Sequence, residues 1–256
     1  MNPTRKITTR WRAATVHFGL SVLIAALVFA IIYFVWYPGA LFGSAGGRDL
    51  FLLIACVDVV IGPLITLIIF VPGKRGLAFD LVVIALLQLA ALSYGVWVLY
   101  ESRPVWIVFV KDRFELVRAN HILDVERAKA KPPYSELGID GPKVVGARMP
   151  ADPAEQLRIG ISAAKAGQDL QTYPQYLVPY ETVKRQVAAK SLPFERLLAL
   201  NPGRRAQVER VRERLGRPAE SIRYLPLRAG KVDLTVLVDA ASGDFIEVEG
   251  LKPWAY

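Results

Sequence analysis

Asp58, Gly62 and Thr66 recur at a spacing of four inside an otherwise apolar run. On a helix that spacing sets a carboxylate, a gap and a hydroxyl in one stripe. A carboxylate in a bilayer costs about 2.5 to 3.5 kcal/mol on insertion scales unless it is protonated, paired or turned toward other helices. Asp58 is therefore not expected to face lipid. Pro63 follows Gly62 and removes a backbone donor, which by α-helical count leaves the Val59 carbonyl without its partner and calls for a kink. The next apolar run carries Gln88, with Ala91 and Gly95 continuing its face. At 1.5 Å per residue, Asp58 and Gln88 lie roughly 12 and 14 Å below the same boundary of a hydrocarbon core about 30 Å thick. A hydrogen bond between Asp58 and Gln88 is thus geometrically allowed between antiparallel neighbours. Three readings stay open for the set Asp58, Gly62, Pro63, Thr66, Gln88 and Gly95. They are a clasp that holds a bundle together, a surface that grips a partner's transmembrane helix, and a proton or ion relay.

The elements that must position these residues are three apolar runs, Phe18 to Tyr37, Leu50 to Val71 and Leu77 to Leu99. Each is long enough to span a bilayer. Arg5, Lys6, Arg10 and Arg12 precede the first, Lys74 and Arg75 fill the turn between the second and third, and the loop from Pro38 to Asp49 holds only Arg48. The positive-inside rule puts the N-terminus and the Lys74 turn in the cytoplasm, and everything after Glu101 on the other side. The first run is longer than the apolar region of a secretory signal and ends in Trp36 and Tyr37, residues of the membrane-interface kind, so it reads as an uncleaved anchor. His17 is placed at headgroup level, and Asp80 is expected to pair with Lys74 or Arg75 at the boundary. The single cysteine, Cys56, lies within the second run and excludes a disulfide framework.

Residues 1–100 thus form a three-helix transmembrane module, and residues 101–256 a domain large enough to bury its own core. Val105 to Val110 and Phe114 to Arg118 read as two strands joined by a tight turn. Asp152, Pro153 and Glu155 open a helix as N-cap, first residue and capping-box partner, and Gly167 ends it. Further helices are expected from about Glu181 to Lys190, Phe194 to Ala199 and Arg204 to Leu215. Strands follow at Ile222 to Leu227, Val232 to Val238 and Phe245 to Val248, with a turn at 241–243. The order predicts an α+β domain with a mixed or antiparallel sheet covered on one face.

The chain offers little to catalysis. Its two histidines, His17 and His121, lie far apart, and no phosphate loop, dinucleotide fingerprint or cysteine cluster is present. No catalytic residue, metal or cofactor is expected. The formal charge of +9 includes an arginine-rich stretch from Arg204 to Arg217, interrupted by Glu209 and Glu213. This reads as a solvated helix laced with ion pairs, not a nucleic-acid site. Tyr173, Tyr176 and Tyr180, set among prolines, are candidates for contact with a partner, although such residues also pack a domain's own helix junctions.

Several segments carry a family resemblance: Asp58-Val-Val-Ile-Gly62-Pro63-Leu-Ile-Thr66, Pro72-Gly73-Lys74, Asp80-Leu81, Gln88-Leu89, Tyr94-Gly95, Arg103-Pro104 and Asp112-Arg113-Phe114. Leu225-Pro226-Leu227, the turn from Asp239 to Gly243 and Pro253-Trp254 continue it. The chain resembles the type IV pilin accessory proteins of the TfpX/TfpZ type. The resemblance implies a non-enzymatic inner-membrane protein with a periplasmic domain that assists the stability or assembly of a type IV pilin subunit. A membrane-anchored sensor or ligand-binding subunit and a membrane enzyme acting on pilin or envelope substrates are the alternatives. The charge distribution gives a direct test of topology. Alkaline phosphatase fused after Tyr256 should be active and a reporter that folds only in the cytoplasm should be dark; the reverse pattern overturns the orientation.

Overall fold

The computed structural model describes residues 9–255, so Arg5 and Lys6, used above for orientation, lie outside the described residues. Among those described, three helices are long and apolar enough to cross a membrane: Arg10–Trp36, Gly47–Ile69 and Leu77–Glu101. The first two start before their apolar runs, and the third starts with its run at Leu77. Thr9 caps the first by accepting a hydrogen bond from the Arg12 amide at 3.3 Å, which carries the helix into the basic segment. Lys74 and Asp80 pair at 2.6 Å beside the second turn, as expected for charges at a helix boundary. Cys56 is exposed on the second helix, a small side chain on its outer surface.

The chain forms two compact units. One comprises Met1–Phe34 and Gly47–Tyr100, the other Val35–Gly46 and Glu101–Tyr256. A simple division at residue 100 therefore misses a segment, because the first inter-helix loop belongs to the α+β unit. Tyr37 and Leu41 are fully buried there, and the Tyr37 hydroxyl lies 3.0 Å from that of Ser102. Tyr37 is thus a core residue of that unit instead of an interfacial anchor. Gly141, at φ +93°, passes so close to the Val35 carbonyl that a β-carbon would strike it.

The sheet of the α+β unit has eight strands: β1 (Pro104–Val110), β2 (Arg113–Arg118), β3 (Lys143–Ala147), β4 (Leu177–Pro179), β5 (Leu192–Pro193), β6 (Ile222–Arg228), β7 (Leu234–Asp239) and β8 (Phe245–Glu249). Their order is β4-β3-β1-β2-β6-β7-β8, with β5 paired to β6 outside that path. β1 and β2 form the expected antiparallel hairpin, whereas β1 with β3 and β2 with β6 run parallel, so the sheet is mixed. The continuous apolar run of β1 is buried at every residue. Such a run belongs to a strand covered on both faces, and the expectation of one covered face fails at the centre of the sheet. One core cluster gathers Val105, Val108, Ile159 and Leu177, and another gathers Phe194, Leu197, Val208 and Tyr224. Buried Arg103 precedes β1 and donates from Nε to the Gly138 carbonyl at 3.1 Å and from a terminal nitrogen to Leu137 at 3.2 Å.

The helix Pro153–Ala166 begins and ends where its caps require. Asp152 accepts from the Ala154 amide at 2.9 Å, and Gly167 closes the helix at φ +67°. The capping box is only half made, because the Glu155 carboxylate turns to Arg158 and the Tyr176 hydroxyl. Arg158 also reaches Glu126, joined there by Lys129 and Gln175 at 2.9 and 2.7 Å. Burial alone would raise the Glu126 carboxyl, but the hydrogen bonds from Lys129, Gln175 and Arg158 outweigh it and hold the group below its ordinary value. A depressed folded-state value stabilises above the unfolded value, about 4.3, and that contribution fades as pH falls through the folded one. Glu126→Gln should therefore cost about 2 kcal/mol at pH 7 in chemical denaturation, with the gap to the parent chain narrowing below about pH 4.3.

Candidate functional site

The second spanning helix changes register where the polar stripe lies. Cys56–Ile61 is π-helical, and the Gly62 amide donates to the Val57 carbonyl, five residues back. In that register the donor that Pro63 lacks belongs to the Asp58 carbonyl, not to Val59 as an α-helical count gives. Gln88 supplies it, donating from Nε2 to the Asp58 backbone oxygen across a long 3.4 Å. Asp58 and Gln88 meet at matching depth, but through the main chain and not through the carboxylate.

Gly62 makes this contact sterically feasible, since a β-carbon there would collide with the Gln88 amide. Gly95 plays a similar part farther along the third helix, against the side chain of Ile54. Gly62, Pro63 and Thr66 are buried in the helical unit. The face read as a grip for a partner helix is therefore filled at Gly62 and Gly95 by the chain's own side chains. Thr66 turns to the first helix, where its hydroxyl lies 2.7 Å from His17 Nδ1.

Asp58 itself is 7% exposed, and both carboxylate oxygens are buried without a hydrogen-bond partner. It lines two grooves. One, of about 210 Å³, is shared with His17, Ser21 and Gln88; the other, of about 290 Å³, with Leu53, Tyr94 and Gly95. Sequence reasoning did not bring His17 and Ser21 into this cluster. Their spacing of four, starting seven residues into a helix that opens at Arg10, was the available signal. Among the described residues no group of three or more His, Cys, Asp or Glu is placed to hold a metal ion.

The tyrosines of the α+β unit take part in its own packing, the alternative reading given for residues of this kind. Tyr173 is 2% exposed within a core, with the Arg158 guanidinium 5.0 Å above its ring. Tyr176 donates to Glu155, and Tyr180 donates to the Gly243 carbonyl at 2.6 Å. Burial, with Asp244 and Glu181 nearby, raises the Tyr180 hydroxyl well above its ordinary value. The arginine-rich helix is laced with ion pairs, Arg212 with Glu209 and Arg214 with Glu247 and Glu249.

The fold and the buried polar cluster define a class, a membrane-spanning three-helix module that carries a mixed-sheet α+β unit. Residues 5–39 match the family model described as fimbrial assembly protein FimB. The chain is 33% identical over 229 residues to the serogroup I fimbrial assembly protein of Dichelobacter nodosus, covering 88% of each chain. It is 29% identical over 228 residues to the serogroup E1 protein of that organism, again with 88% of each chain covered. The protein of serogroups C1 and C2 is 40% identical over 110 residues, which is 42% of this chain and 84% of that relative. No solved structure matches. The chain belongs to the fimbrial assembly protein family.

The contact between the second and third helices can be tested alone. Gly62→Ala displaces the flexible end of Gln88, and Gln88→Leu removes the donor. Each should lower stability in detergent by about 0.5 to 1.5 kcal/mol. Because both break one hydrogen bond, the double variant should lose clearly less than the sum; strict additivity would show that the two residues do not share a contact.

Proposed function

We propose that this chain is a non-enzymatic accessory protein of the bacterial inner membrane that holds a type IV pilin subunit before assembly. The helical unit takes the pilin's transmembrane helix, and the α+β unit, on the periplasmic side, takes its head. Two weak contacts on one chain act together through effective concentration. The observation that carries this reading is the Asp58 carboxylate, buried yet without a partner, beside grooves on either side of the third helix. An unmet hydrogen-bonding group at that depth is costly unless another helix brings it a donor.

A second reading, a ligand-binding sensor subunit, draws on a polar recess of about 540 Å³ in the α+β unit, lined by Glu115, His121, Gln171 and Arg228 among others. Burial raises the Glu115 carboxyl despite Arg113 and Arg228, and burial with Arg118 lowers His121. His121→Ala separates the readings: assembly should survive it if the grooves matter, and fail if the recess does.

Asp58→Leu should leave the chain at normal abundance in the membrane and reduce surface fimbriation several-fold, whereas Asp58→Asn, still able to hydrogen-bond, should retain most of it. Photoreactive residues at Ser21 and Leu89, which line the first groove, should label the fimbrial subunit; one at Leu27, 65% exposed, should not. Equal labelling from all three positions, or full fimbriation with Asp58→Leu, would sink the helix-holding role.

A further inference from the structure

We infer that the polar recess of the α+β unit binds a neutral polyhydroxylated ligand, a short saccharide; this supplies a ligand class for the sensor reading and rests on it. The recess exists because two parallel strands part. β2 and β6 pair only at Phe114 with Leu227 and at Glu115 with Arg228; β6 then ends, while β2 continues to Arg118. The chain leaving β6 turns at Gly230, φ +107°, where a β-carbon would come within 2.8 Å of the Arg118 guanidinium. The end of the helix Pro153–Ala166 and the segment that follows it also line the recess, which holds about 540 Å³, a volume in the range of small-molecule sites.

Its walls hold hydrogen-bonding capacity that the chain does not use. Arg113 donates to Glu115 Oε1 at 2.8 Å and Arg228 stands 3.7 Å from the same oxygen, so Oε2 is left over. At 3.7 Å the approach is too long for a good hydrogen bond, and the Arg228 guanidinium, 56% exposed, keeps its donors. Among the described residues no hydrogen bond ties the side chains of His121 or Gln168, and the amide oxygen of Gln171 is buried with no partner. Burial, with Arg118 nearby, holds His121 below its ordinary value, so at pH 7 the ring is neutral and offers one donor and one acceptor.

That mixture selects the ligand. An anion such as phosphate brings acceptors alone: it would suit Arg228 but repel Glu115 and leave the amide oxygens unmet. An ammonium group meets the opposite difficulty at Arg113 and Arg228. A zwitterion would divide between Glu115 and Arg228 and leave the neutral groups unserved. An apolar ligand would strip water from all of these groups and replace none of its hydrogen bonds. A flat aromatic ligand has no ring to stack on, because no Phe, Tyr or Trp lines the recess. A hydroxyl both donates and accepts. Several hydroxyls on one rigid ring can donate to Glu115 and Gln168 while accepting from Arg228 and His121, and the small residues Ala166 and Gly167 leave room for the ring.

The test uses the full chain purified in dodecyldimethylamine oxide, a detergent without a sugar headgroup. Disaccharides of glucose, galactose and N-acetylglucosamine are titrated by calorimetry, beside inorganic phosphate and free glutamine. At least one disaccharide should bind saturably. Gln168→Leu removes a hydrogen-bonding amide at similar size, and Ala166→Trp fills the recess from an exposed position. Each should weaken binding about tenfold, the loss expected for one hydrogen bond, with thermal unfolding unchanged. Phosphate or glutamine binding in place of the sugars, weakened by the same variants, would overturn the saccharide and leave the recess a ligand site. Saccharide binding that both variants leave intact lies outside the recess and overturns the assignment. Binding by none of the probes also overturns the saccharide, and the sensor reading is then decided separately by the effect of His121→Ala on assembly.

Discussion

The missing N–H of Pro63 governs the helical unit. In a bilayer every backbone polar group must find a partner inside the protein, and a proline in mid-helix leaves one carbonyl without it. The chain's answer is a π-helical stretch, Cys56–Ile61, that moves the deficit to the Asp58 carbonyl. That carbonyl can be reached from the third helix only across a residue with no side chain, and Gly62 is that residue. The amide of Gln88 completes the arrangement. One lost donor thus sets the register of the second helix, the identity of residue 62 and the point where the third helix is held.

The same geometry leaves the Asp58 side chain open. Had the carboxylate accepted the Gln88 amide, as depth alone allows, the residue would be a closed clasp. Because the main chain takes that donor, the carboxylate is left between two grooves, near His17 and Ser21 but bonded to neither. The third helix approaches the second closely at Gly62 and at Gly95; one groove lies between the second and third helices, and the other between the first and third with Asp58 at its wall. The clasp and the open site are therefore two sides of one residue, the backbone serving the first and the side chain the second.

Much of this was legible in the sequence. Hydropathy and length placed the spans, and the caps at Asp152 and Gly167 placed a helix to the residue, because both signals are local. The β1-β2 hairpin was equally clear from two β-prone runs and three charged residues. What sequence could not carry was rotation and long-range pairing. The π-helical register is invisible to a count by 3.6, which gives the orphaned carbonyl to Val59 and does not announce a Gln88 bond to the Asp58 main chain. The parallel pairings of β1 with β3 and β2 with β6 join segments separated by tens of residues, with no turn chemistry to announce them. Tyr37 was misplaced for a related reason: an aromatic hydroxyl at the end of a span looks the same whether it meets headgroups or a protein core.

Two features of the described chain remain costs as long as it is considered alone. In the helical unit a buried carboxylate has no hydrogen bond, where insertion scales assign such a residue about 2.5 to 3.5 kcal/mol. In the α+β unit an interior glycine forgoes about 1 kcal/mol of helix propensity on an apolar face turned to water. Native stability is itself only about 5 to 15 kcal/mol, so losses of this size are not negligible. They differ in kind: the first is a missing donor within the helical unit, the second an apolar surface on the α+β unit. A closed, self-sufficient fold would have given the Asp58 carboxylate a donor and placed alanine at 160. That neither choice is made fits a protein whose work is done in contact with other chains, consistent with a family defined by assembly.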